Sequence, residues 1–141
     1  MIYYLDTSVL VAALTNETGT ARVQRWLGER EPEELAISEW VATEFSAALS
    51  IKLRSGQIGP DERAAVLAAF VRLFSESLSA LSISAAQFRA AARFADQHKL
   101  GLRAGDALHL AIAADHGATI ATLDQRLAEA ALALGVSALS P

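Results

Sequence analysis

Hydrophobic and polar positions alternate along the chain in two rhythms. Short apolar runs of about four to eight residues predict strands, and longer stretches with apolar positions three and four residues apart predict amphipathic helices. The predicted strands are Ile2–Leu5, Leu35–Ser38, Leu78–Ile83, Ala118–Leu123 and Val136–Leu139. Because helical stretches separate these strands, the pattern predicts a central parallel sheet flanked by helices on both faces, an α/β fold.

Turn and capping residues mark the ends of the predicted helices. The predicted helices span residues 7–16, 20–29, 39–56, 61–77, 85–99, 105–117 and 124–135. Gly59 and Pro60 mark the start of the fourth helix, because proline is favoured in the first turn of a helix. Ser84 and Gln87 have the spacing of a capping box before the fifth. The polar segment 30–34 is predicted to be a loop. No repeat or low-complexity tract interrupts this order, so residues 1–141 are predicted to form one domain.

Composition limits the possible partners and compartments. The chain has 141 residues, enough for a hydrophobic core without disulfides or structural metal, and it has no cysteine. Twelve basic and sixteen acidic residues give a net charge of −4, which argues against a protein that coats nucleic acid through general basicity. Asp6 interrupts the first apolar run, and no apolar segment is long enough for a membrane span. We therefore expect a cytoplasmic protein without a membrane partner.

Two aspartates directly follow predicted strands. Asp6 comes after the first strand and Asp124 after the run "TIATL". In open parallel sheets, ligands bind outside the carboxyl ends of the strands, so both side chains are expected at that edge. Asp106 opens a helix that leads back into a strand, and the same argument does not place it. Each of the three aspartates could also be a helix N-cap.

Glu44 is a fourth acid in an unusual position. Its neighbours three and four residues away on the predicted helix are apolar, so it lies on the face that turns inward. A buried carboxylate is costly unless it is paired or bound to metal. The alternatives are a position at the margin of that face, or an ion pair with Lys52 or Arg54. Taken together, the four acids favour a cluster.

Such a cluster has a predictable electrostatic consequence. Four like charges repel one another, so at least one carboxyl pKa should be raised, and Glu44→Gln should stabilise the metal-free protein. Ligands that are all oxygen favour hard cations, here Mg²⁺ or Mn²⁺. His109, three residues after Asp106, could face the site, but a single helix histidine is more often a packing or surface residue.

Several segments of the sequence resemble a known family. The segments "YYLDTSVLVAAL", "AISEWVATEF", "LRAGDALHLAIAADHGATIATLD" and "LAEAALALGV" are similar to PIN-domain ribonucleases, in particular to the VapC-type toxins of bacterial toxin–antitoxin pairs. The resemblance covers nearly the whole chain and is weakest from residue 54 to residue 83. Position by position, it implies an acidic, metal-binding and catalytic quartet of Asp6, Glu44, Asp106 and Asp124, supported by the hydroxyls of Ser8 and Thr122.

The resemblance also implies an activity and partners. The activity is hydrolysis of RNA phosphodiester bonds by a metal-activated water, with Mg²⁺ or Mn²⁺ as cofactor and Asp6 as the central ligand. The partners are an RNA substrate, a cognate antitoxin and a second copy of the chain. The strongly apolar helix 61–77 also favours a homodimer. Arg54 and Arg103 are candidates for contacts with RNA phosphates. The sequence identifies neither the RNA nor the number of metal ions.

Other protein classes with an aspartate after the first strand need further residues that this sequence lacks. A phosphotransferase of the haloacid-dehalogenase type would need an aspartate two residues after Asp6, where Ser8 stands. A receiver domain would need an acidic pair nearby and a lysine after a late strand. A PIN nuclease without an antitoxin and a catalytically inactive PIN-like binding module both stay open, although the presence of all four acids favours an enzyme.

Overall fold

Five short parallel strands form a single sheet in the computed structural model, which describes all 141 residues. The strands are β1 (Tyr3–Leu5), β2 (Leu35–Ser38), β3 (Ser79–Leu81), β4 (Thr119–Ala121) and β5 (Ala138–Leu139). Their order across the sheet is β3-β2-β1-β4-β5, and every neighbouring pair is parallel. The predicted parallel α/β architecture is therefore confirmed.

Seven α-helices flank this sheet, at the positions that the apolar pattern predicts. They are α1 (Thr7–Leu14), α2 (Thr20–Gly28), α3 (Glu39–Arg54), α4 (Pro60–Ser77), α5 (Ala85–Asp96), α6 (Ala104–Asp115) and α7 (Gln125–Ala133). The predicted capping box at α5 is present. The Ser84 Oγ accepts a hydrogen bond from the Gln87 N–H, and the Gln87 Oε1 accepts one from the Ser84 N–H.

Two segments differ from the sequence prediction. The predicted loop at 30–34 contains a 3-10 turn, Pro32–Glu34, in which the Glu34 carboxylate accepts a hydrogen bond from the Glu31 N–H. The fifth helix ends at Asp96 rather than Lys99, and a 3-10 turn, His98–Leu100, follows it. That turn ends at Gly101, whose φ of 64° is left-handed and suits glycine. Both differences arise from local hydrogen bonds and backbone geometry that the spacing of apolar residues does not report.

The core is built around the central strand. Tyr4 and Leu5 of β1 are fully buried, and Tyr4 pairs in register with Ala36 of β2 and Ile120 of β4. Phe45 of α3 stacks on Phe70 of α4 at 4.4 Å between ring centroids. The stacking of Phe45 on Phe70 holds α3, which carries Glu44, against α4.

The apolar helix α4 is mostly used inside the chain. Val66 and Phe70 are buried and Phe74 is half-buried, while Val71 stays 65% exposed. The exposed apolar surface that the sequence suggested for a homodimer is thus smaller than the apolar content of this helix. None of the helices combines the length and the apolar character that a membrane crossing requires.

The topology brings the acidic segments to one edge of the sheet. β1 and β4 are neighbours, with Leu5 in register with Ala121, so the residues that follow both strands lie side by side at their carboxyl ends. Helix α3 follows β2 and starts at this edge. Helix α6 leads back into β4, so its first turn lies at the same edge.

Candidate functional site

Asp6 is a buried carboxylate held by two hydroxyl groups. It is only 5% exposed, and its side chain does not cap α1 although it occupies the N-cap position. The Ser8 Oγ donates a hydrogen bond of 2.5 Å to Oδ1, and the Thr122 Oγ1 donates one of 2.7 Å to Oδ2. Each carboxylate oxygen therefore has one donor and keeps a further lone pair.

The protonation of Asp6 is shifted by this environment. Burial raises the pKa of Asp6 above its ordinary value, and the hydrogen bonds from Ser8 and Thr122 oppose that shift without cancelling it. The protein thus carries a carboxylate whose charge is costly in the absence of a compensating cation.

Glu44 is held by different partners. Its Oε1 accepts a hydrogen bond of 2.6 Å from the Thr7 hydroxyl and a short one from Nε2 of His109. Burial alone would raise the pKa of Glu44, but the interaction with His109, together with the hydrogen bond from Thr7, outweighs burial and lowers it. The alternative pairing with Lys52 is not found, since Lys52 lies 3.1 Å from Glu17.

His109 lies at the centre of a buried hydrogen-bonded chain. It is 2% exposed, and its Nδ1 lies 2.8 Å from the Tyr4 hydroxyl, which is itself 2.8 Å from the Ser38 hydroxyl. This chain connects β2, β1, α6 and α3. The sequence favoured a packing or surface role for His109, but in the structure His109 contacts Glu44 directly.

Asp106 and Asp124 occupy different positions at two helix starts. Asp106 lies in the first turn of α6, whose N-cap residue is Arg103, so the N-cap alternative is wrong for Asp106. It is right for Asp124, whose Oδ1 accepts hydrogen bonds from the Arg126 and Leu127 N–H groups at 2.9 and 3.3 Å. Burial, and then the nearby charge of Asp124, raise the pKa of Asp106. The rise in a carboxyl pKa that was expected from repulsion between acids is thus found at Asp106, where it adds to burial, whereas the rise at Asp6 comes from burial alone.

Three of the four acids line one cleft of about 350 Å³. Its lining residues are Glu44, Leu100, Gly101, Leu102, Arg103, Asp106, Asp124, Arg126 and Leu127. Asp6 is not a lining residue of this cleft. The Thr122 hydroxyl links it to the cleft, because this hydroxyl donates a hydrogen bond to Asp6 and accepts one from the Asp124 N–H. Arg103 and Arg126 add two guanidinium groups to the cleft. Arg54 is exposed at the end of α3 and is not among the lining residues.

Gly105 lies in close contact with the side chains of Glu44 and Trp40. A Cβ at Gly105 would lie 2.7 Å from Oε2 of Glu44 and 3.2 Å from the indole nitrogen of Trp40. The absence of a side chain leaves room for Glu44 beside the first turn of α6. Gly105 therefore permits the approach between Glu44 and the turn that carries Asp106.

The chemistry of these donors fits a hard divalent cation. The four acids offer only carboxylate oxygens, the ligands that Mg²⁺ and Mn²⁺ prefer. The charge that is costly at Asp6 and Asp106 is the charge that a cation would neutralise. No three of the aspartate, glutamate and histidine side chains are placed to enclose an ion by themselves.

Comparison with known proteins identifies the family. The PIN domain model matches residues 3–132. Because this match spans most of the chain, the protein belongs to the PIN domain family. No curated protein sequence matches it significantly.

Solved structures share this fold at low sequence identity. FitAcB from Neisseria gonorrhoeae is 21% identical with a TM-score of 0.70, and the match covers 98% of this chain and 96% of that one. VapC20 from Mycobacterium tuberculosis, a sarcin–ricin loop cleaving toxin, is 19% identical with a TM-score of 0.72 over 91% and 94% of the two chains. DNA-bound VapBC from Salmonella typhimurium is 17% identical with a TM-score of 0.70 over 99% and 98%.

Sequence patterns did not predict three residues of the site. Tyr4 and Thr7 read as ordinary residues of a strand and a helix start, and Gly105 as an ordinary residue before an aspartate. Spacing offered one signal, because His109 lies three residues after Asp106 and hence on the same helix face. The partners of Tyr4 and Thr7 are 105 and 37 residues away, and no local pattern reports them.

Proposed function

We propose that this PIN domain protein is a metal-dependent endoribonuclease that hydrolyses RNA phosphodiester bonds. Asp6, Glu44, Asp106 and Asp124 would hold Mg²⁺ or Mn²⁺. The observation that carries the proposal is the convergence of carboxylates from four separate elements at the carboxyl edge of the sheet, three of them around one cleft. A scaffold with no ligand gains nothing from a buried Asp6 and from a repulsion between the charges of Asp106 and Asp124.

The chain's own residues orient the acids and supply charge for a substrate. Ser8 and Thr122 hold both oxygens of Asp6, while Thr7 and His109 hold one oxygen of Glu44. When bound, a divalent cation would supply Lewis-acid polarisation and lower the pKa of water. Arg103 lines the same cleft and would contact a phosphate of the substrate.

We further propose that the protein is the toxin of a toxin–antitoxin pair. The likeness in fold to VapC20 and to VapBC complexes supports this role. An apolar groove of about 270 Å³, lined by Trp40, Phe88 and several small residues of α5 and α6, borders Gly105. Phe88 is 55% exposed there. We expect an antitoxin segment to bind near the acidic site at this groove, and a homodimer to form through another face that includes Val71.

The competing candidate is a PIN-like binding module without catalysis. It would use the same cleft to bind RNA or protein, but it would need no divalent cation. The full set of acids and the raised pKa of Asp6 and Asp106 favour the enzyme. RNA cleavage separates the two candidates directly.

The test is cleavage of a single-stranded RNA with Mn²⁺, with Mg²⁺ and with chelator. We expect cleavage only with metal, and loss of cleavage in Asp6→Asn with an unchanged circular dichroism spectrum. Asp61→Asn is the matched control, because Asp61 is exposed in the first turn of α4. Full activity of Asp6→Asn, or equal activity with chelator, would refute the metal-dependent mechanism.

The partner proposal has a separate test. Light scattering should show a dimer at micromolar concentration, and co-expression with the product of an adjacent small gene should yield a stable complex. Monomers alone, with no complex, would leave a nuclease without an antitoxin.

A further inference from the structure

The geometry points to His109 as a positioning residue. We infer that its Nε2–H holds Oε1 of Glu44, so that only Oε2 of Glu44 is free for a cation or substrate in the cleft. The effect of His109 on the reaction depends on the proposed function. The contact between His109 and Glu44 depends on geometry alone.

Hydrogen-bond accounting sets the direction of each bond around the ring. An ionised carboxylate only accepts, so Nε2 must carry the proton that is shared with Glu44. A neutral imidazole then has a bare Nδ1, which accepts from the Tyr4 hydroxyl. Burial raises the pKa of Tyr4 well above its ordinary value, so Tyr4 keeps its proton for this bond. The Tyr4 oxygen accepts in turn from Ser38.

The remaining contacts of Glu44 leave one free oxygen. Thr7 and His109 both contact Oε1, and Oε2 lies against Gly105, whose ideal Cβ position is 2.7 Å away. Gly105 directly precedes Asp106, so Oε2 is the oxygen nearest to that turn. Without His109, the Glu44 side chain would lose one of the two hydrogen bonds to Oε1 and would gain rotamers that turn Oε2 from the cleft.

His109 is suited to hold Glu44 because its own side chain is buried and fixed. It is 2% exposed and is bonded on both nitrogens. Partners that hold a ligand's orientation in this way typically change metal affinity by roughly 10- to 100-fold when they are replaced.

Three substitutions separate positioning from packing. His109→Gln places an amide donor near the place of Nε2, His109→Asn places one near the place of Nδ1, and His109→Leu has neither. Mn²⁺ binding by the full chain is measured by titration calorimetry, after circular dichroism has shown that each variant is folded. We expect His109→Gln to bind Mn²⁺ almost as wild type does, and the other two to bind roughly 10- to 100-fold more weakly. Equal affinity of all three variants would overturn the inference.

A second measurement needs no change at His109. Nitrogen-15 spectra of the metal-free wild type should show a protonated Nε2, and Tyr4→Phe should shift the Nδ1 signal. A bare Nε2 in the wild type would overturn the inference. If the wild type binds no Mn²⁺ at all, the proposed function fails, while these spectra still decide whether His109 holds Glu44. If Asp6→Asn abolishes Mn²⁺ binding and the three His109 variants are alike, only the positioning role fails.

Discussion

Thr122 and Asp6 are 116 residues apart in the chain, yet the Thr122 hydroxyl donates a hydrogen bond of 2.7 Å to Oδ2 of Asp6. The same hydroxyl accepts a hydrogen bond of 3.0 Å from the Asp124 N–H. One side chain at the end of β4 thus links two of the four acids. This link depends on β1 and β4 being neighbours in the sheet.

Replacing Thr122 should expose its contribution to both acids. Thr122→Val keeps the shape but leaves Asp6 without one donor and the Asp124 N–H without its acceptor. Because unsatisfied polar groups are costly, we expect a loss of about 1–3 kcal/mol in the free energy of unfolding. Mn²⁺ affinity should also fall by roughly 10- to 100-fold. Denaturant unfolding and calorimetry measure the two effects. Thr122→Ser is the matched control and should behave as wild type; a Val variant that matches the Ser variant would contradict the prediction.

Gly105→Ala should damage the site and spare the fold. Alanine is favoured over glycine in a helix by up to about 1 kcal/mol, so α6 itself should tolerate the change. The new Cβ would displace Oε2 of Glu44 and press on Trp40. We expect a normal melting temperature, with RNA cleavage reduced by roughly 10- to 100-fold. Gly28→Ala is the control, because no atom lies within 4 Å of its Cβ position. Undiminished cleavage by Gly105→Ala would show that Glu44 adjusts freely.

Asp106→Asn and Glu44→Gln should change the stability of the metal-free protein in opposite directions. The folded-state pKa of Asp106 is raised, so its charge destabilises the protein at neutral pH, and this cost disappears as pH falls through the raised pKa. Asp106→Asn should therefore raise the melting temperature in chelator, with the difference shrinking toward acid pH. Melting curves between neutral pH and about pH 4 measure it. An Asp106→Asn protein that melts at a lower temperature than wild type at neutral pH would contradict this prediction.

Glu44→Gln should have the opposite effect on stability because the pKa of Glu44 is lowered. The ionised form is stabilised by His109 and Thr7, and that contribution is present above the unfolded pKa and is lost as pH falls through the folded one. Glu44→Gln should therefore lower the melting temperature of the metal-free protein at neutral pH. This reverses the expectation from the acidic cluster alone, which overlooked His109 as a partner. An increase in the melting temperature would restore that expectation.

The two candidate RNA-binding arginines should behave differently. Arg103 lines the acidic cleft, whereas Arg54 is exposed at the end of α3 and outside the cleft lining. Binding of RNA to the inactive Asp6→Asn protein, measured over a range of salt concentrations, should weaken in Arg103→Gln. The slope of log affinity against log salt should fall by about one for each phosphate contact that is lost. Arg54→Gln should have the smaller effect. Equal slopes for both variants and the parent would exclude Arg103 as a phosphate contact.

Much of the fold followed from local patterns along the chain. Apolar spacing located all five strands and seven helices, since burial of one strand or helix face imposes a period of two or 3.6 residues. The positions of Asp6 and Asp124 at the ends of strands placed both at the carboxyl edge, because parallel strands all end there. Glu44 stood out because its charge interrupts an inward face. These inferences need only the position of a residue within its own strand or helix.

The partners of those acids depended on the tertiary structure. That His109, rather than Lys52, pairs with Glu44 follows from how α6 packs beside α3, and Lys52 is instead held by Glu17. The Tyr4 hydroxyl meets His109 only because β1 is the central strand. Contacts across 65 or 105 residues are set by strand order and helix packing, and neither leaves a period in the sequence. The sequence by itself therefore determined that Asp6 and Asp124 lie at one edge of the sheet, and the packing of distant elements decided what holds each acid and the direction in which the pKa of Glu44 moves.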